Sequence, residues 1–245
     1  MKLVELLAKY RKYKSENSYS CDLCEKELFD YPNNRVCDGC KQRLALDTRK
    51  SCPVCGRKIV SEGVCLTCKA VRPTFLRGVS PYAYEGLIAG TVNRLKNGAR
   101  YLANVLAESM EREFVAVMGG SFEKEIAVIV CVPLSEERQK ERGYNQAEEL
   151  AIVLAERLDV PFLENAVIKR KETDPQKKKI GKDRAENIRG AYFVRRRKAC
   201  KNKTVLVVDD IMTTGSTGSE MARILYGAGA NTVYFLTATA TPEKR

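Results

Sequence analysis

The chain of 245 residues contains no histidine, so whatever chemistry it performs runs without an imidazole. No apolar stretch is long enough to span a bilayer, and no membrane insertion is expected. A G-x-x-x-x-G-K-[ST] run is absent, which excludes a P-loop nucleotidase. The pair Gly227-x-Gly229 follows a helical pattern instead of a strand, so it reads as a helix-ending turn and not as a dinucleotide fingerprint. No internal repeat occurs apart from paired cysteines. Residues 1–14 carry only a short apolar run at 4–8, so no signal peptide is expected and the chain reads as cytoplasmic. A cytoplasmic setting disfavours disulfides as the use of its cysteines.

Eight of the ten cysteines fall into four knuckles: Cys21-x-x-Cys24, Cys37-x-x-Cys40, Cys52-x-x-Cys55 and Cys65-x-x-Cys68. A two-residue spacer lets both thiolates of a knuckle face one ion, and tetrahedral Zn²⁺ takes four. Two Cys₄ sites follow. Sequential pairing puts Cys21, Cys24, Cys37 and Cys40 on one ion and Cys52, Cys55, Cys65 and Cys68 on the other, with a cross-braced arrangement as the alternative. Four protein ligands leave no open coordination position, so the expected role of the zinc is structural. Cys131 and Cys200 remain and are expected to be unliganded, Cys131 in a strand. The 44% hydrophobic content suffices for one sizeable core plus a metal-stapled module. A break near Arg72-Pro73 divides the chain into a zinc-ribbon domain, 1–72, and a second domain, 73–245. The first is too poor in apolar residues to fold without metal.

The most specific motif lies near the end: Val205-Leu206-Val207-Val208-Asp209-Asp210-Ile211-Met212-Thr213-Thr214-Gly215-Ser216-Thr217-Gly218. The continuous β-branched run at 205–208 suits a parallel strand buried on both faces. Residues 219–226 then place Met221, Ala222, Ile224 and Leu225 at helical spacing, and a second strand follows at 232–237, which completes a βαβ unit. The loop between lies at a helix N-terminus, where free N–H groups and the macrodipole attract a phosphate. Gly215 and Gly218 permit close backbone approach. Thr213, Thr214, Ser216 and Thr217 add hydroxyl donors. Asp209 and Asp210 can accept from a vicinal diol and sit where a Mg²⁺-bound ligand would lie. Phosphate and diol together describe a ribose 5-phosphate. The acidic strand end of a receiver domain is the alternative, but different loop chemistry follows it there.

Elsewhere the second domain alternates in the manner of an α/β fold with a mostly parallel sheet and helices on both faces. Leu87, Ile88, Val92 and Leu95 follow Tyr82 and Tyr84 at helical spacing, Asn97-Gly98 breaks that helix, and Leu102, Val105, Leu106 and Met110 carry the next. A buried strand is expected at 126–132, turning at Pro133-Leu134-Ser135. Asn145 with Glu148 is a capping-box pattern ahead of Leu150, Val153, Leu154 and Leu158.

The charge is strongly basic: 43 Lys and Arg against 31 Asp and Glu give a formal +12, which two Zn²⁺–thiolate sites lower by about four charges. Cations concentrate at Lys169-Arg170-Lys171, Lys177-Lys178-Lys179, Lys182, Arg184 and Arg195-Arg196-Arg197-Lys198. Such runs follow a nucleic-acid backbone, screen a pyrophosphate, or form a solvated basic face. Few aromatics interleave; Tyr192 and Phe193 are the nearest.

The loop at 209–218 resembles the phosphoribosyl pyrophosphate signature of type I phosphoribosyltransferases. The elements Arg142-Gly143-Tyr144-Asn145-Gln146, Lys171-x-Thr173-x-x-Gln176, Arg184-x-x-Asn187-x-x-Gly190-Ala191-Tyr192-Phe193, and Tyr84-Glu85-Gly86 before Leu95-Lys96, together with the cysteine knuckles, are similar to the pattern of the ComF family. Lys171 departs from an expected arginine, and Lys178 or Lys179 from an expected apolar residue. The resemblance implies that Asp209 and Asp210 hold the ribose of Mg²⁺-bound phosphoribosyl pyrophosphate, and that Thr213, Thr214, Gly215, Ser216 and Thr217 anchor its 5-phosphate. Leu134, Ser135, Arg138 and Arg142 are then candidates for the pyrophosphate side, and Lys171 and Arg184, on a loop that closes over the site, join Arg142 as candidates for catalysis. Lys96 is a further candidate. Lys177, Lys178, Lys179, Arg195, Arg196 and Arg197 are candidates for single-stranded DNA. The implied function is DNA uptake in natural competence, with uptake-machinery proteins as partners. The alternatives are an active transferase with an unidentified acceptor and a scaffold with a dead site.

Overall fold

The computed structural model describes residues 20–28, 34–45, 49–119, 126–170 and 188–243. Two long strands form its centre, β6 (Thr204–Met212) and β7 (Thr232–Ala240), whose β-branched and aromatic residues are buried along almost their full length. They pair in parallel from Thr204 opposite Thr232 to Met212 opposite Ala240. Strand β3 (Val128–Cys131) adds to β6. Two short strands in line, β1 (Arg77–Val79) and β2 (Tyr82–Ala83), add to the far edge of β7. The sheet order is thus β1-β7-β6-β3 with β2 also on β7, all parallel, and an isolated bridge from Ile129 to Phe162 extends the β3 edge. A separate antiparallel hairpin joins β4 (Val167–Lys169) to β5 (Tyr192–Val194).

Because side chains alternate along a strand, the sheet has two apolar faces. Leu206, Val208, Tyr234 and Leu236 face α3 (Gly86–Lys96), α4 (Leu102–Met118) and α6 (Gln146–Leu158) in one core cluster. Phe114 of α4 meets the Tyr234 ring edge-on at 6.3 Å. Val205, Val207, Val233 and Phe235 face α8 (Ser216–Gly227) and the β4–β5 hairpin in the other. Helices on both faces of a mostly parallel sheet are the architecture the sequence predicts. The short helices α1 (Asp38–Ala45), α2 (Leu66–Ala70), α5 (Glu136–Arg142) and α7 (Arg197–Cys200) complete the described elements.

Two boundaries and one cap differ from expectation. Strand β6 does not stop at the acidic pair but continues through Ile211 and Met212, because β7 extends alongside it to Ala240. Helix α8 begins at Ser216, so Ser216, Thr217 and Gly218 form its first turn and only Thr213 to Gly215 are loop. At Asn145 the side chain accepts from Ala147 N at 3.0 Å and donates to Val132 O at 2.9 Å, tying α6 to the end of β3. Glu148 lines a cavity instead of completing the box.

Candidate functional site

The loop from Thr213 lies at the carboxyl end of the central strands, where ligands of open parallel sheets bind. Gly215 takes φ +83° at the N-cap of α8, a conformation that favours glycine. The N-cap residue is a glycine and offers no side chain of its own to the first turn, whose N–H groups form the kind of helix start at which anions bind. The Thr214 and Ser216 hydroxyls lie 2.8 Å apart, and Ser216 N donates to Thr214 Oγ1 at 3.3 Å, so the loop is organised by its own hydroxyls. Gly218 is tightly constrained: a Cβ there would stand 2.6 Å from the Phe235 ring.

The two carboxylates are neighbours on one strand and therefore face opposite sides. Asp210 turns to the α3/α6 side, where Lys96 Nζ lies 2.8 Å from Oδ2 and Gln146 Nε2 donates to Oδ1 at 3.4 Å. The lysine contact lacks hydrogen-bond geometry, leaving Oδ2 buried without a hydrogen-bond partner. Arg142 joins the group through Gln146, donating to its Oε1 at 2.9 Å. Asp209 turns to the hairpin side and accepts from Asp210 N at 2.9 Å. Burial, and next the Asp210 charge, push its carboxyl well above the usual range. Tyr192 of β5 stands near it and near Thr217; burial foremost, then Asp209, raises the phenol as well.

Ser135 caps α5, accepting from Arg138 N at 3.5 Å, while the Arg138 side chain is exposed. Beside it opens a cavity of about 670 Å³ lined by Leu134, Ser135, Lys140, Glu148, Arg170 and Arg195 among others. Burial, then the Glu164 charge, moves the Glu148 carboxyl up to about 7. The cavity includes two of the pyrophosphate-side candidates but neither Asp209 nor Asp210. Along the hairpin, Arg170 stacks at 3.8 Å on the partly exposed ring of Phe193, and Arg195 and Arg196 are exposed. Arg197 donates to Gly227 O at 2.6 Å, so it is partly committed to the end of α8. Lys171, Lys177, Lys178, Lys179, Lys182 and Arg184 lie outside the described residues.

The cysteines gather sequentially: the sulfurs of Cys21, Cys24, Cys37 and Cys40, and those of Cys52, Cys55, Cys65 and Cys68, each lie within 4.8 Å of one another. Either set could hold a metal ion. Backbone N–H groups point at the sulfurs, Cys37 to Cys21 at 3.3 Å and Cys65 to Cys52 at 3.4 Å, and four clustered sulfurs are a donor set that fits zinc. In the second cluster a hydrogen bond with Cys68 leads the effects that bring the Cys55 thiol down to about 5; the Arg57 guanidinium is a further one. Cys131 ends β3, and its thiol is raised by burial.

Sequence reasoning puts Lys96 last among the candidates, whereas the structure brings it to Asp210, and it gives Gln146, Tyr192 and Arg57 no role of their own at the site. Gln146 stood inside the quoted Arg142–Gln146 element, and Tyr192 beside the basic cluster, so a signal existed for both. For Arg57 there was none.

Residues 95–245 match the phosphoribosyl transferase domain family. The chain is 30% identical over 222 residues to Competence protein ComFC of Bacillus subtilis strain 168, covering 87% of this chain and 88% of that protein. It is 28% identical over 229 residues to Competence protein F of Haemophilus influenzae, covering 88% and 94%. A third relative, DNA utilization protein YhgH of Escherichia coli K12, is 27% identical over 200 residues, covering 81% and 87%. A type I phosphoribosyltransferase-like sheet behind two Cys₄ clusters, with identity to these proteins running over most of both chains, places the chain in the ComF family.

Proposed function

We propose that the protein handles single-stranded DNA during uptake while binding phosphoribosyl pyrophosphate on the Thr213–Thr217 loop. The observation that carries the reading is the β4–β5 hairpin, which serves two sites with its two faces. One face brings Tyr192 to Asp209 and Thr217. The other presents Ile168, Arg170, Phe193 and Arg195, an aromatic–arginine surface of the kind on which bases stack and along which phosphates run. In this reading the loop amides and hydroxyls hold the 5-phosphate and the carboxylates the ribose hydroxyls. Asp209 and Asp210 are hard-oxygen donors of the kind Mg²⁺ takes, so Mg²⁺ would be held here and would neutralise the pyrophosphate, with Asp210 already ion-paired to Lys96. Two zinc ions in the cysteine clusters, a cytoplasmic setting, partners in the uptake machinery and a division of the chain near residue 72 belong to the same proposal. Among the described residues no helix is long and apolar enough to cross a membrane.

A second reading, transfer of ribose 5-phosphate to an acceptor with release of pyrophosphate, is favoured by the cavity next to Leu134 and Ser135, where the half-buried Glu148 carboxyl could exchange a proton with an acceptor. Titration of labelled single-stranded DNA into zinc-loaded protein, followed by anisotropy with and without phosphoribosyl pyrophosphate and Mg²⁺, separates the two. Salt-sensitive binding that shifts with the ligand supports the first. No binding at physiological salt rejects it and leaves pyrophosphate release in an acceptor screen as the test of the second.

A further inference from the structure

We infer that Arg57 is a positioning residue for the phosphate loop, which makes the second cysteine cluster part of that loop's foundation. Arg57 is only 5% exposed although it lies two residues past Cys55, and its Nη2 donates to the Thr213 carbonyl at 2.6 Å. In a planar trans peptide the carbonyl of residue 213 and the N–H of residue 214 point in opposite directions. A guanidinium drawing the Thr213 carbonyl to the knuckle side therefore turns the Thr214 N–H toward the other side, as an anion site requires.

Two further contacts from the same stretch of chain brace the loop. Thr74 N donates to Ser219 Oγ at 3.2 Å. The Phe75 ring lies against Gly215, 3.9 Å from where a Cβ would stand, and packs on Phe235 at a centroid distance of 5.3 Å. The knuckle is itself fixed to the sheet edge. Gly78 N donates to Val54 O at 2.8 Å, and Gly56 and Gly78 meet so closely that a Cβ on either would come within 2.7 Å of the other strand's backbone. Thr213, Gly215 and Ser219 are thus each held from the cysteine side, and of these three contacts the Arg57 bond is the one made to a peptide group of the loop.

The test is amide hydrogen exchange of the zinc-loaded full chain, read at residues 213–219. Arg57→Ala is expected to speed exchange there by about tenfold or more with zinc content unchanged, and Arg57→Lys, which keeps the charge but not the fork, to fall between. Arg94→Ala, which removes the arginine tether of the first cluster, leaves these amides at the wild-type rate. Unchanged exchange in a folded Arg57→Ala, or equal acceleration in Arg94→Ala, overturns the inference. If Arg57→Ala does not fold, Arg57→Lys decides: faster exchange supports the role and wild-type exchange rejects it. Calorimetry with ribose 5-phosphate adds a second readout, with about tenfold weaker binding expected in Arg57→Ala. Only this probe rests on the sugar-phosphate reading. Wild-type protein that does not bind it counts against that reading, while the exchange comparison still decides for Arg57.

Discussion

The two cysteine clusters have the same ligand set and opposite relations to the molecule. Cys21 and Cys40 are buried against the face of the sheet that carries α3, α4 and α6, while Cys24 and Cys37 remain half-buried. All four cysteines of the second cluster are buried, on the face that carries α8. An arginine ties each to the body, but in reverse directions. In the first, Arg94 of α3 reaches out to the knuckle, donating to Leu23 O at 2.8 Å and Glu25 Oε1 at 3.0 Å. In the second, Arg57 of the knuckle reaches in to the phosphate loop. Ligand spacing decides that a metal can bind; what the knuckle touches decides what would depend on it.

Breaking a ligand in each cluster gives the largest contrast. Cys55→Ser and Cys24→Ser are each expected to lower zinc content by one ion in native mass spectrometry. Loss of the second site exposes a cluster merged with the sheet core and should cost more than about 4 kcal/mol, a large fraction of a typical domain's stability. Loss at the half-buried first site should cost about half as much in urea unfolding. Equal losses would mean that the two faces bear on the fold alike.

The next contrast lies within the second cluster. Gly56→Ala puts a methyl 2.7 Å from Gly78 O at φ +77°, and overpacking against backbone should cost about 2–4 kcal/mol. Gly63 also has positive φ, at +94°, but open space around it, so Gly63→Ala should cost only about 1 kcal/mol of backbone strain. Thermal unfolding of the pair separates interface from conformation, and similar shifts would deny the close contact its importance.

Lys96 carries the comparison into the site, since it lies on the same helix as Arg94 and points to Asp210. Lys96→Met leaves a carboxylate 5% exposed with Gln146 but no cation, at a cost of about 2–3 kcal/mol by denaturant unfolding. A neutral result would show that water replaces the ammonium.

Much of this was legible in the residues. The β-branched run at 205–208, the glycine-hydroxyl loop and the four knuckles each state their chemistry locally, and the sheet, the loop and the cysteine grouping follow from them. What was not legible depends on contacts between distant segments. The extension of β6 past Asp210 is caused by pairing with residues 239 and 240, which no local pattern announces. Arg57 meets Thr213 across 156 residues of chain, and nothing around Cys55 distinguishes that arginine from the many surface cations of a basic protein. The opposite facing of Asp209 and Asp210 follows from strand alternation and could have been read once the strand was extended through them.

The smallest effect expected is at the first cluster's own tether. Arg94→Ala removes bonds to Leu23 O, Glu25 and the Tyr101 hydroxyl, but the side chain is a third exposed, so water takes over part of each and the cost should be about 1 kcal/mol. Its consequences should stay local, with faster amide exchange at residues 21–25 and none at 213–219. Arg57→Ala removes the bond to the Thr213 carbonyl and the guanidinium beside Cys55, and it should act on the loop that is proposed to hold the ligand. If Arg94→Ala instead weakens ribose 5-phosphate binding as much as Arg57→Ala does, the first cluster reaches the acidic pair through α3 and Lys96. Both metal sites would then bear on the loop, and the contrast drawn between them would give way to a shared one.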